Sequence, residues 1–436
     1  MPSLSALSYL IIALICGAGV VEVWSASDEA TQAFSWWRLM LASYLLALIY
    51  ERVRSGASML KVSVPSIAPL RLGRRAGIDA SIMNEGVRAL AVRYALDLPE
   101  SLDACRETQQ LTLAAGTATP FSFELLPSSL GDAVWARLPM RILGPLRLAW
   151  WSTSLPVDET LCVVPDSLAP HDRSTGLVRA GAASHRRQGS GRELHHLREY
   201  RPGDPRHAID WKATARSGEL ITRVFGEEQH LDIVLVLDAG RTSRNEVDGL
   251  SQLGHYVNTA ARFAERAVAN EDRVGLIAIT DRPVALVAPD GGFRAVRKIR
   301  QALAGLATEP VESDMLAAAH ELGRMVRHRS LVIVLTDFYG SDPSSRLGQS
   351  IRLWVPKHQP MVVGLVGGEI REIAGREASE WLDPYESLAA MTYQQDLQRG
   401  MEGLRRLGAE TLLAGPGELE QAVLRRYQRL RANRRV

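Results

Sequence analysis

The chain has 436 residues, 51 Lys and Arg against 49 Asp and Glu, a net charge of +2, and three cysteines. This length suggests two or three domains. The near-neutral charge argues against nucleic acid as a partner, and an odd number of widely spaced cysteines, Cys16, Cys105 and Cys162, gives no disulfide framework or zinc knuckle.

Residues 1–55 hold two apolar blocks. Leu4 to Val23 is apolar over about 20 residues, with Glu22 near its end, a length that as helix crosses ~30 Å of hydrocarbon. No basic residue precedes it, which disfavours a cleaved signal peptide. The second block, 34–51, begins with Trp36, Trp37 and Arg38. It spans only with Arg38 snorkelling and the Trp pair at an interface. The expectation is a transmembrane helical hairpin, with helices at about 4–23 and 34–51. The connection from Glu22 to Gln32 is acidic, while Arg52, Arg54 and Lys61 follow the second block. The positive-inside rule then puts an inner-membrane protein's large domains in the cytoplasm.

Residues 58–166 alternate with period two in short stretches, including Lys61–Val64, Gly77–Ile82, Phe121–Leu125 and Thr160–Val164. Turn signals such as Asn84–Gly86 and Gly144–Pro145 separate several of them. The pattern predicts a small antiparallel β-sandwich. No catalytic constellation stands out there. Residues 167–191 are polar and read as a linker.

The segment 192–228 contains the most distinctive run of the chain, Arg198-Glu-Tyr-Arg-Pro-Gly-Asp-Pro-Arg-His-Ala-Ile-Asp-Trp-Lys-Ala-Thr-Ala-Arg216. Arg198, Arg206 and Arg216 are forked donors that Asp204 and Asp210 can accept. Pro202-Gly203 supplies a turn. Tyr200 and Trp211 offer apolar area with a polar handle, and Thr214 adds a hydroxyl. Two readings stay open: an internal salt-bridge and packing network, or a docking surface, since Arg, Tyr and Trp anchor interfaces. His195, His196 and His207 meet no zinc spacing.

From 229 to 436 apolar strands alternate with helices. Strands are predicted at Leu231–Asp238, Arg273–Thr280, Arg282–Val287, Ser330–Asp337, Gln359–Val366 and Glu410–Leu413, and helices at 245–269, 293–306, 314–326 and 417–431. Uniformly apolar strands need helices on both faces, so this is a doubly wound α/β sheet whose site lies at the strands' carboxyl ends. Asp238 and Asp337 end strands there, and Thr242 and Ser313 supply hydroxyls nearby. Hard oxygen donors suit Mg²⁺; capping of neighbouring helices or loop amides is the plainer role.

On these residues the α/β region resembles the von Willebrand factor type A domain. Its metal-ion-dependent adhesion site uses Asp-x-Ser-x-Ser, then Thr, then Asp. Asp238, Thr242, Ser313 and Asp337 stand at those positions, and Gly240 lacks the first Ser hydroxyl, so the resemblance implies a degenerate site. The long motif, with the apolar hairpin and β module, resembles the bacterial domain of unknown function 58 family. That resemblance implies a membrane-anchored, non-enzymatic partner of a MoxR-type AAA+ ATPase, in chaperone-like assembly or activation of complexes, with other von Willebrand A-like proteins as further partners. No Walker-type phosphate loop is present, so the chain itself should not hydrolyse ATP. The alternatives are a metal-dependent hydrolase or nuclease, for which no general base stands near the metal, and an extracytoplasmic adhesion protein, which the charge flanks oppose.

Overall fold

The structure, a computed structural model, describes residues 3–25, 36–55, 59–104, 108–167, 187–227, 230–338, 343–376 and 379–432. The chain divides into two compact units, Met1–Asp166 and Ser167–Val436.

In chain order the first unit contains β1 (Ser3–Leu4), α1 (Ala6–Ser25), α2 (Trp36–Val53), β2 (Leu60–Ser63), β3 (Leu70–Arg71), β4 (Ala76–Asn84), β5 (Leu90–Tyr94), β6 (Leu102–Ala104), β7 (Gln109–Leu113), β8 (Ala118–Pro127), β9 (Gly131–Leu143) and β10 (Ala149–Val164). One sheet runs β1-β10-β9-β5-β7, with β3 also on β10; the other runs β2-β4-β8-β6. Buried and exposed residues alternate along β4, β8 and β9, as expected of strands with one face inward. The two sheets meet through aromatic rings. Phe123 of β8 packs edge-on to Trp135 of β9 at 5.3 Å, and Tyr94 of β5 lies 5.0 Å from Phe121. The β-sandwich expected from alternation is therefore present. Strand β9 was not expected, because Pro139 reads against a central strand, although Leu138, Met140 and Ile142 alternate inward around it.

The two apolar blocks fold as α1 and α2, but the expected transmembrane hairpin needs correction. Among the described residues no helix is long and apolar enough to cross a membrane. Charges set the limit. Arg38 and Glu51 leave only Leu39–Tyr50 uninterrupted in α2, roughly 18 Å of helix against a core of about 30 Å. Glu22 leaves Ala6–Val21 in α1, roughly 24 Å. The helices are also tied to the sandwich by polar groups. Buried Glu51 accepts from the amides of Leu148 (2.9 Å) and Ala149 (3.0 Å), and Ser8 Oγ donates to the Leu148 carbonyl. Ile15, Tyr44 and Leu148 form a small shared core. The inner-membrane placement and the orientation argued from the flanking charges rested on that hairpin and fall with it.

The second unit begins with β11 (Arg187–Glu199), α3 (Trp211–Ser217) and β12 (Ile221–Glu227), where β11 and β12 pair antiparallel. Residues 168–186 of the expected linker lie outside the described residues, and its end, from Arg187, is strand. Then follow β13 (Asp232–Asp238), the short hairpin β14 (Glu246–Val247) and β15 (Leu250–Ser251), α4 (Gln252–Ala269), β16 (Arg273–Ile279), β17 (Pro283–Asp290), α5 (Gly292–Ala304), α6 (Met315–Met325), β18 (Leu331–Leu335), α7 (Arg346–Trp354), β19 (Gln359–Leu365), α8 (Gly368–Gly375), α9 (Asp383–Arg406), β20 (Glu410–Ala414) and α10 (Leu419–Ala432).

The main sheet runs β17-β16-β13-β18-β19-β20, all parallel except β17. Helices α6, α7 and α9 share one core with the sheet. Helices α4, α5 and α10 associate with one another, Phe263 of α4 meeting Tyr427 of α10 at 5.3 Å. Helices on both faces explain why β13 and β18 are buried at nearly every residue. The chain leaves β13 for β16 on one side and later returns to β18 on the other. The carboxyl ends of β13 and β18 therefore flank the point where strand order reverses, the usual place for a site in such sheets.

Candidate functional site

The sheet places Asp238 at the last position of β13, almost fully buried. A buried carboxylate must find donors, and this one has three. Oδ1 accepts the Gly240 amide at 2.9 Å and the Ser313 hydroxyl. Oδ2 accepts Thr336 Oγ1 at 2.6 Å. The Asp238 carbonyl takes a fourth bond, from Ser243 Oγ at 2.6 Å. Asp337 follows Thr336 and is half-buried. Both carboxylates act on Tyr256, which is fully buried beneath them. Burial first, then the charges of Asp337 and Asp238, push its hydroxyl well above the ordinary tyrosine range, so it stays neutral.

The structure thus unites Asp238 and Ser313, and brings Asp337 to the same end of the sheet. Thr242 is not part of the ring. It sits exposed in a short 3-10 turn, while its neighbour Ser243 points inward. Ser243 and Thr336 are the hydroxyls that sequence matching passed over. Thr336 was readable from one signal: it is a polar residue directly after five apolar ones on a strand aimed at the site.

Gly240 explains the departure from the adhesion-site pattern. A Cβ there would overlap Ser313 Oγ and lie 2.7 Å from the Val311 carbonyl. The segment before α6 is laced onto this loop, with Arg241 N donating to Val311 O at 2.8 Å and Glu309 N to Ala239 O at 3.0 Å. Ser313 therefore fills the space a serine at 240 would need. The remaining oxygens, from Asp238, Ser313, Thr336 and Asp337, are all hard donors. They fit Mg²⁺ by chemistry, with both loop hydroxyls of the pattern it resembles missing, at Gly240 and at the outward-facing Thr242. Among the described residues no group of three or more His, Cys, Asp or Glu gathers as a metal cluster. His207 is exposed, and the side chains of His195 and His196 lie outside the described residues.

The distinctive run 198–216 is built around two aspartates. Asp204 closes the turn made by Pro202 and Gly203, whose φ is 107°, a value that favours glycine. Its Oδ1 accepts Arg198 Nη2 at 2.7 Å and its Oδ2 accepts the Arg201 amide at 2.9 Å. The bond from Arg198, then that amide, holds its carboxyl below the usual carboxylate range. Asp210 caps α3, accepting the Lys212 and Ala213 amides at 3.0 Å, and also takes Arg223 Nε of β12 at 3.0 Å. The Ala213 amide, then Arg223, lowers its carboxyl likewise. Thr214 Oγ1 accepts the Ile221 amide at 3.0 Å, and the Tyr200 amide donates to Leu220 O at 2.8 Å. Ala208 and Ile209 are buried under this frame. Trp211 is not: it is 66% exposed, with Arg206, Lys212 and Arg216 exposed in the same run.

Residues 196–370 match the family model described as "Protein of unknown function DUF58". The chain carries a DUF58 domain. The match opens within β11, takes in the whole run 198–216, and extends through β13 and β18 into α8. It therefore covers both the strand-end ring and the ion-paired frame. The β-sandwich unit, α9, β20 and α10 lie outside it. No curated protein matches the chain.

Proposed function

We propose that this DUF58 protein is a non-catalytic protein-binding component, and that the run 198–216 is its docking surface. The partner implied by the family resemblance is a MoxR-type AAA+ ATPase, with the chain acting in assembly or activation of protein complexes. One observation carries the reading. The aspartates of the motif are spent on an internal frame, while Trp211 and the cations Arg206, Lys212 and Arg216 are left facing solvent. Burying an exposed Trp beside Arg is how interfaces gain most of their energy, and holding the two on a capped helix cuts the ordering cost of binding. The two readings of the motif are thereby divided by residue: Arg198, Asp204, Asp210 and Thr214 hold, and Trp211, Arg206 and Arg216 bind. Mg²⁺ at Asp238, Ser313 and Asp337 is a proposed modulator of the same component.

Co-purification of the full chain with the MoxR-type ATPase of the same genome tests this, across ADP, ATP and Mg²⁺. Association is expected, and Trp211→Ala with Arg216→Glu should reduce it at least tenfold, which is about 1.4 kcal/mol. No association under any nucleotide or metal condition would overturn the reading.

A further inference from the structure

Among the described residues the main sheet ends at β20, which pairs there only with β19. The Val366 amide bonds Ala414 O across that pair. In a parallel ladder alternate residues serve the same neighbour, so Glu410, Leu412 and Ala414 face β19 while the backbone groups of Thr411 and Leu413 face the free edge. Beside that edge lies a cavity of 580 Å³, lined among others by Arg405, Glu410, Thr411, Arg425, Arg426 and Arg429. Arg405 stands on α9, whose layer covers one face of the sheet, and the other arginines stand on α10, which joins α4 against the opposite face. A cavity lined from both layers wraps around the edge of the sheet.

Its charge is one-sided. Glu410 is already paired with Arg426 at 2.5 Å. The guanidiniums of Arg405 and Arg429 make no hydrogen bond or ion pair with the described residues, and that of Arg425 meets only Gln421, at 3.2 Å. Thr411 Oγ1 is buried without a hydrogen-bond partner. The groove thus offers unpaired backbone groups, a spare hydroxyl and three exposed guanidiniums split between two faces. A small anion would need cations gathered at one point. An extended chain sends successive side chains to opposite faces, and an open edge is a template for it.

We infer that the free edge of β20 receives an acidic extended segment of a partner protein as an added strand. Its backbone pairs with Thr411 and Leu413, and its carboxylates alternate between Arg405 on one face and Arg425 and Arg429 on the other. This site lies outside the DUF58 match and does not depend on the ATPase reading.

The test is fluorescence anisotropy of the full chain with a labelled peptide of repeating Val-Glu-Glu, whose adjacent carboxylates fall on opposite faces of a strand. Saturable binding is expected, weaker at higher salt. The R425E/R429E double variant and, separately, R405E should each bind at least ~10-fold more weakly, about 1.4 kcal/mol. All three side chains are exposed, and unchanged thermal melts would show that the variants fold. The same peptide with Pro in place of every Val keeps its carboxylates but loses N–H groups along both edges that a strand needs, and should also bind at least ~10-fold more weakly. Absence of saturable binding to the wild type, or equal binding of the Pro peptide, would overturn the inference. Binding of inorganic pyrophosphate at these arginines without saturable peptide binding would show a small-anion site and overturn it too.

Discussion

Thr336 Oγ1 donates to Asp238 Oδ2 across 2.6 Å, joining residues 98 apart in sequence. The bond ties the carboxyl ends of β13 and β18 at the point where strand order reverses. With Ser313 and the Gly240 amide on the other oxygen, the Asp238 carboxylate is the hub of three chain segments.

The hub has a measurable stability consequence. Asp238→Ala leaves three donors without their acceptor in a buried site, which should cost roughly 2–4 kcal/mol in urea unfolding. Thr336→Val removes one donor and keeps the shape, so about 1 kcal/mol is expected. Wild-type stability in Asp238→Ala would mean that the ring is not what holds the strand ends together.

Gly240 is fixed by crowding rather than by backbone angle, since its φ is −80°. Gly240→Ser should therefore destabilise by roughly 1–3 kcal/mol. Adding Ser313→Ala relieves only one of the two clashes, because the Val311 carbonyl stays 2.7 Å from the new Cβ. Partial recovery in the double variant is the expected result, read by thermal melting. The single Gly240→Ser variant also regains a loop oxygen. Its melting temperature should rise more with added Mg²⁺ than that of the wild type, because a ligand that binds only the folded state stabilises it.

Much of this was legible in the chain. The apolar runs of β13, β16, β18 and β19 and the period-two stretches of β4 and β8 follow directly from burial on two faces or one. Helix α9 was not expected, since Asp383–Arg406 is polar around most of its surface and buries only a few residues such as Leu397 and Leu404. The hairpin β14–β15 was hidden because residues 245–251 continue the helical spacing of α4. At the site, both aspartates were visible as strand-terminal residues, but matching hydroxyls by spacing chose Thr242. Whether residue 242 or 243 turns inward depends on a 3-10 turn, which spacing does not encode. The membrane expectation failed differently: it weighed apolar length and gave too little weight to Glu51, whose carboxylate is taken up by the backbone of β10.

Trp211 separates binding from folding. At 66% exposure its replacement by Ala should move stability by no more than about 0.5 kcal/mol while weakening capture of the proposed ATPase partner. Asp210→Ala should do the reverse at its origin. It removes the cap of α3 and the partner of Arg223, so hydrogen exchange should quicken at Lys212 and Ala213, and binding should fall because Trp211 is no longer held. Equal exchange in Asp210→Ala and wild type would dissociate the frame from the surface.

Asp272 offers a pH test of the joint between β16 and α10. Its side chain is fully buried and accepts the Tyr427 hydroxyl and the Leu231 amide, the latter at 3.1 Å, with Arg431 at 3.6 Å. Burial nonetheless dominates and raises its carboxyl above the ordinary aspartate value. A folded-state pKa above the unfolded one means the folded chain binds more protons in between. Its contribution is then fully present below the unfolded value near 3.9 and declines as pH rises through the folded value. Asp272→Asn removes that titration. The stability difference, variant minus wild type, should therefore grow in the variant's favour from about pH 4 to pH 7, whatever its sign at either end. A difference that is flat over this range, or one that runs the other way, would show that Tyr427 and Arg431 outweigh burial at this carboxylate.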